Sequence, residues 1–76
     1  MQLQIPESLV HIYKLEEKFY HVEKISNGEV IISSPETGYE IELNKRDVKD
    51  ILEHNNDFLS EKNQVYEFKK DYLLYL

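Results

Sequence analysis

Short stretches rich in Val, Ile, Tyr and Phe run along the chain between sparse turn residues: Pro6, Asn27-Gly28, Pro35 to Gly38, and Asn55-Asn56-Asp57. Apolar and β-branched runs bounded by turn formers predict strands, here Leu9 to Leu15, Lys18 to Ile25, Glu29 to Ser33 and Tyr39 to Leu43. Asn27-Gly28 is the strongest hairpin signal, because a type I′ turn needs positive φ at both central residues. It sets Ile25 opposite Val30 and Glu23 opposite Ile32. Pro35-Glu36-Thr37-Gly38 suits a four-residue connection, with Pro presetting φ and Gly accepting a left-handed end. That turn places Ile32 opposite Ile41 and Val30 opposite Leu43. A first hairpin closing at Glu16-Glu17, a poor turn pair, would put Ile12 against His21 and Tyr13 against Tyr20.

Side chains alternate between the two faces of a strand, so the three registers test one another. One face collects Val10, Ile12, Phe19, Ile25, Val30, Ile32, Tyr39, Ile41 and Leu43, with His21 and Glu23 as misfits. The other collects His11, Tyr13, Lys18, Tyr20, Val22, Lys24, Ile31, Ser33, Glu40 and Glu42. The division into one apolar and one mixed face predicts a four-stranded antiparallel meander in a mainly β or α+β domain spanning residues 1–76.

Beyond Leu43 the period changes. Asn44 can cap a helix, Asp47 suits the positive end of its dipole, and Val48, Ile51 and Leu52 recur at i, i+3 and i+4. Asn55-Asn56 offers a left-handed stop, and the helix is expected to lie across the apolar sheet face. In the tail, Val65, Phe68, Tyr72, Leu73 and Leu76 fit a helical stripe, while Tyr66, Phe68, Tyr72, Leu74 and Leu76 fit strand alternation. Propensity does not separate the two; a strand from Gln64 to Lys69 followed by a docking apolar end is the expectation.

The pattern fits an open sheet with a helix on one face or a small half-barrel. Over roughly residues 8 to 52, the order of short strand, Asn-Gly hairpin, second hairpin and helical turn resembles many small SH3-like modules. Such a fold by itself licenses no function.

Composition narrows the field. A chain of 76 residues buries only about 60% of its unfolded surface, so each large apolar residue matters to its stability. The absence of cysteine excludes disulfide scaffolds and Cys-based zinc sites. No apolar run approaches the ~20 residues of a membrane span, and Met1-Gln2-Leu3-Gln4 lacks the basic start of a signal peptide; a reducing cytoplasm is the expected setting. Alanine is absent, lysine outnumbers arginine eight to one, and Asn, Ile, Lys and Tyr supply 26 of 76 residues. That bias follows AT-rich codons and suggests a low-GC bacterium or one of its phages or mobile elements.

Candidate chemistry is thin. His11 and His21 fall on opposite faces in the expected register and His54 sits near a helix end, so no metal set converges. The serines Ser8, Ser26, Ser33, Ser34 and Ser60 form no Gly-x-Ser-x-Gly elbow, and two glycines placed in turns leave no phosphate-cradling loop. With fifteen carboxylates some pairs must lie close, so Glu16-Glu17 or Glu40 with Glu42 do not define an acid/base dyad. No enzyme activity, metal or cofactor is expected. Lys45-Arg46 and Lys69-Lys70, the only adjacent basic pairs, sit among acids in a chain of net charge −6, which disfavours direct nucleic-acid binding.

Two features point towards a partner. Tyr13 and Tyr20 lie on the mixed face beside His11, Val22 and Ile31, and tyrosine is enriched at interfaces; the alternative is that Tyr72 to Leu76 covers this patch as a second small core. Glu29, Glu40 and Glu42 would stand on neighbouring strands and Asp47 and Asp50 along the helix, a field that can steer a basic partner. The expectation is a small non-enzymatic binding protein, most concretely a phage or mobile-element inhibitor occupying a basic, nucleic-acid-binding surface of a host protein. Small acidic anti-CRISPR and anti-restriction proteins are similar in gross character. The competing expectations are an SH3-like nucleic-acid-associated regulator and an assembly subunit that self-associates through a strand edge.

Overall fold

A computed structural model of the protein describes residues 2–54 and 62–75. The elements run β1 (Gln2–Gln4), α1 (Glu7–Tyr13), β2 (Phe19–Ser26), β3 (Glu29–Ser33), β4 (Glu40–Leu43), α2 (Lys45–His54) and α3 (Lys62–Tyr75). The four strands form one antiparallel sheet in the order β1-β2-β3-β4, which is open, with β1 and β4 as its edges. Among the described residues no helix is long and apolar enough to cross a membrane.

The two central turns form as their residues require. Asn27 and Gly28 both take positive φ, 54° and 82°, and the hairpin pairs Ile25 with Val30 and Ser26 with Glu29. At the second turn Gly38 takes φ 75°. Ser34 braces that turn: its Oγ accepts the Glu36 and Thr37 N–H groups at 3.2 Å each. Ile32 pairs with Ile41 and Val30 with Leu43, as the turn chemistry predicts.

The first strand is a different segment from the one expected. Leu9 to Leu15 is not a strand; most of it belongs to α1, and the resemblance to SH3-like modules fails over this part of the chain. Pro6, at φ −62° and ψ 152°, is the N-cap, and its carbonyl accepts the Leu9 and Val10 N–H groups at 3.0 Å. The helix turns Leu9 fully inward, packs Val10 and Tyr13 against the core and leaves Ile12 outside. That spacing of i, i+1 and i+4 is helical, and packing outweighs the strand preference of Val10 and Ile12. Lys14, in the left-handed region at φ 54°, ends the helix, and the Leu15 N–H donates to the Val10 carbonyl at 2.9 Å. The edge strand is instead Gln2–Gln4, which sets Leu3 opposite Tyr20.

A bulge corrects the register of β2. Val22, not Glu23, pairs with Ile32, while Lys24 pairs with Ile31, so Glu23 is the extra residue between them. The misfits His21 and Glu23 thereby leave the apolar face, and Tyr20 and Val22 take their place on it. Phe19 moves to the other side. Tyr39, expected inward, lies before β4 and is exposed.

The inner face packs Leu3, Tyr20, Val30, Ile32 and Leu43 against Leu9, against Val48 and Ile51 of α2, and against Phe68 and Tyr72 of α3. α2 lies over β3 and β4, and α3 over β1 and β2. The tail is therefore a helix, not a strand from Gln64. Phe68 and Tyr72, one turn apart, stack with ring centroids 6.1 Å apart, and the Tyr72 hydroxyl donates to the Gly28 carbonyl at 2.8 Å. Leu74, which strand alternation would place beside them, is 73% exposed. The Asn55-Asn56 stop lies outside the described residues.

Candidate functional site: the outer sheet face and the cleft at its end

Among the described residues α1, α2 and α3 all pack on the inner face, and no helix covers the outer face of the sheet. Glu29, Glu40 and Glu42 are exposed there. Glu42 projects beside Ile31, Glu40 beside Ser33, and Lys24 on β2 also neighbours Ile31. Glu23, carried outward by the bulge, accepts the Ser33 hydroxyl at 2.7 Å. The structure thus assembles three of the expected partner-binding residues, with one ammonium among them.

The others are placed differently. Tyr20 is 4% exposed and belongs to the core, so it is no surface anchor. Burial first, and then the charges of Glu17 and Glu16, push its pKa up against the opposing effect of a backbone hydrogen bond at Glu17. Asp47 is 6% exposed and engaged internally. Its N–H donates to Asn44 Oδ1 at 2.9 Å and its Oδ2 accepts the Asn44 N–H at 3.1 Å, the reciprocal cap of a helix start. The same Oδ2 accepts the Tyr13 hydroxyl at 2.5 Å. Tyr13 is half-buried at the end of α1, and its pKa is pushed up to about 12, first by that hydrogen bond, then by burial and by the carboxylate charge. Tyr13 and Asp47 therefore fasten α1 to the start of α2 rather than facing a partner together. Asp50 is half-buried on α2, away from the sheet face that carries the three glutamates.

A cleft of about 380 Å³ opens where the α1–β2 loop meets the β3–β4 turn. Tyr13 and Tyr39 line it with Glu16, Glu17 and Glu36, and among the described residues Lys14 is the one cationic side chain lining it. Its two sides are tied together because the buried Ser34 hydroxyl donates to Glu17 Oε2. Sequence reasoning did not name this grouping, although the pairing of the start of β2 with the end of β3 brings residues 16–17 and the β3–β4 turn to the same end of the sheet. The recognisable signal was Ser34 before a Pro-Glu-Thr-Gly turn, a hydroxyl poised to bind the turn's own N–H groups.

Lys45 and Arg46 border a depression of about 480 Å³ with Asn27, Asn44 and Glu29, so this basic pair shares its surface with a carboxylate. Among the described residues no three His, Asp or Glu side chains are arranged to hold a metal ion.

Among the described residues the fold is a small α+β arrangement, one open antiparallel sheet backed by α1, α2 and α3, with acidic side chains on its other face. No protein-family model matches the chain, and no curated protein or solved structure is significantly similar to it.

Proposed function

We propose that the protein is a non-enzymatic binder that presents its uncovered, acidic sheet face to a basic surface of a partner protein. One observation supports this reading above the rest: Glu29, Glu40 and Glu42 stand exposed on the one sheet face that no helix covers. Carboxylates fixed on neighbouring strands keep their spacing without the entropy loss of ordering a loop, and their summed field speeds encounter with a cationic surface. Together with the AT-rich coding bias and the net charge of −6, this favours a phage or mobile-element inhibitor that acts in a host cytoplasm by covering the nucleic-acid-binding groove of a host protein.

The test is affinity capture from a low-GC bacterial lysate, with bound proteins identified by mass spectrometry. Expected is a basic, nucleic-acid-binding protein released by moderate salt and by competing DNA or RNA, and lost with the combined Glu29→Gln, Glu40→Gln and Glu42→Gln variant. Capture that ignores salt, or that survives the triple variant undiminished, overturns the reading.

A further inference from the structure

We propose that the cleft between the α1–β2 loop and the β3–β4 turn is a socket for one arginine side chain of the partner. The inference rests on the preceding reading of the chain as a binder of basic surfaces and names the contact that would fix its register.

Size comes first. About 380 Å³ lies near the lower end of the roughly 300–1,000 Å³ typical of ligand pockets, room for a single long side chain. Charge comes next: three carboxylates, Glu16, Glu17 and Glu36, face one ammonium, Lys14. The cleft is also preformed. Ser34 holds Glu17 from one side while accepting the N–H groups of Glu36 and Thr37, so the loop and the turn are joined before any ligand arrives. Glu17 keeps acceptor capacity beyond the Ser34 hydroxyl, since an ionised carboxylate offers about four lone-pair sites.

The aromatic lining selects between the two cationic side chains. Tyr39 is 70% exposed at the cleft, an apolar ring left in water beside carboxylates. A guanidinium is planar and weakly hydrated; it can stack on that ring while its fork of N–H donors meets a carboxylate. A lysine ammonium is a strongly hydrated point charge and uses the ring less well. Tyr39 also leads directly into Glu40, so the cleft adjoins the acidic sheet face and one partner surface could engage both.

The experiment is NMR on the full-length, ¹⁵N-labelled chain titrated with a capped Gly-Arg-Gly peptide and its lysine and citrulline counterparts. Expected are shifts of backbone amides in residues 14–17 and 34–39 with the arginine peptide, several-fold weaker binding of the lysine peptide, and none of the neutral citrulline peptide. Tyr39→Ala and Glu36→Gln, both at exposed positions, should each weaken arginine binding several-fold and leave the remaining amide spectrum in place. Equal response to lysine and arginine, or absence of cleft shifts at millimolar peptide, overturns the socket. Shifts confined to Glu29, Glu40 and Glu42 overturn the socket but leave the acidic-face reading standing. Failure of that broader reading appears separately, as lost partner capture with the cleft shifts intact.

Discussion

The two faces of the sheet are made by the same four strands and answer to different demands. Inward, Leu3, Tyr20, Val30, Ile32 and Leu43 are all but sealed by the helices. Outward, Glu29, Glu40, Glu42 and Lys24 are exposed around a half-buried Ile31. In a chain this small nearly all hydrophobic stabilisation must come from the inner face. The outer face is relieved of that task and can carry charge at little energetic cost. Burial and exposed charge are thus divided between opposite sides of one layer.

The largest effect that would break this contrast is on the inner side. Phe68→Ala should cost about 3–5 kcal/mol through lost burial and a cavity. For 76 residues total stability is expected at only about 4–11 kcal/mol, so the variant should show a much lower urea midpoint or no cooperative transition by circular dichroism. Tyr13→Phe probes the fastening of α1 to α2. Removing the bond to Asp47 should cost about 1.5–2 kcal/mol near neutral pH, the lower part of the range for hydrogen bonds to charged groups because Tyr13 is half-buried. The folded pKa of Tyr13, about 12, lies above the ordinary value near 10. Its contribution is therefore complete below about pH 10 and disappears as pH rises through the folded pKa. Urea midpoints at rising alkaline pH should show wild type and Tyr13→Phe converging, while the raised pKa of Tyr20 leaves both with some alkaline loss. Smallest is the outer face: Glu40→Gln and Glu42→Gln should each move stability by no more than about 0.5 kcal/mol, measured in the same denaturations. A larger loss would mean that those carboxylates hold the fold together, and the division of labour would not stand.

Where turn chemistry is strong and contacts are local, the sequence sufficed to read the structure. Asn27-Gly28 and Pro35 to Gly38 fixed β2, β3 and β4 near their turns, and Asn44 with Asp47 marked the start of α2. Leu9 to Leu15 misled because a helix of seven residues needs only Leu9, Val10 and Tyr13 inside, and Val10 and Ile12 carry strand preference. Pro6 followed by Glu7 was the competing helix-start signal. Gln2–Gln4 shows a single apolar residue, too little alternation to announce a strand. In the tail, Phe68 and Tyr72 satisfy both periods, and Leu73 of the helical stripe and Leu74 of the strand alternation are both exposed, so the pattern of apolar residues did not separate the two. Of the expected contact residues, Glu29, Glu40 and Glu42 were readable because their strands were. Tyr20 was not, since its direction depends on the bulge, and Asp47 was recognised as a helix-start residue without the Tyr13 bond that occupies it. His21 and Glu23, standing two apart on one strand and both on an otherwise apolar face, were the mark of a shifted register.

Glu23 also stands outside the parity of its strand. Left out of the ladder by the bulge, that one residue does not count in the alternation, and both halves of β2 show their greasy side to the helices. Excise it, and the bulge disappears while the alternation survives: Ile25, Val22 and Tyr20 would still point inward with Lys24 and His21 outward, and the Ser33 hydroxyl would lose its acceptor. A single-codon deletion at Glu23 should therefore be tolerated, whereas the same deletion at a regularly paired residue of β2 would turn half the strand inside out.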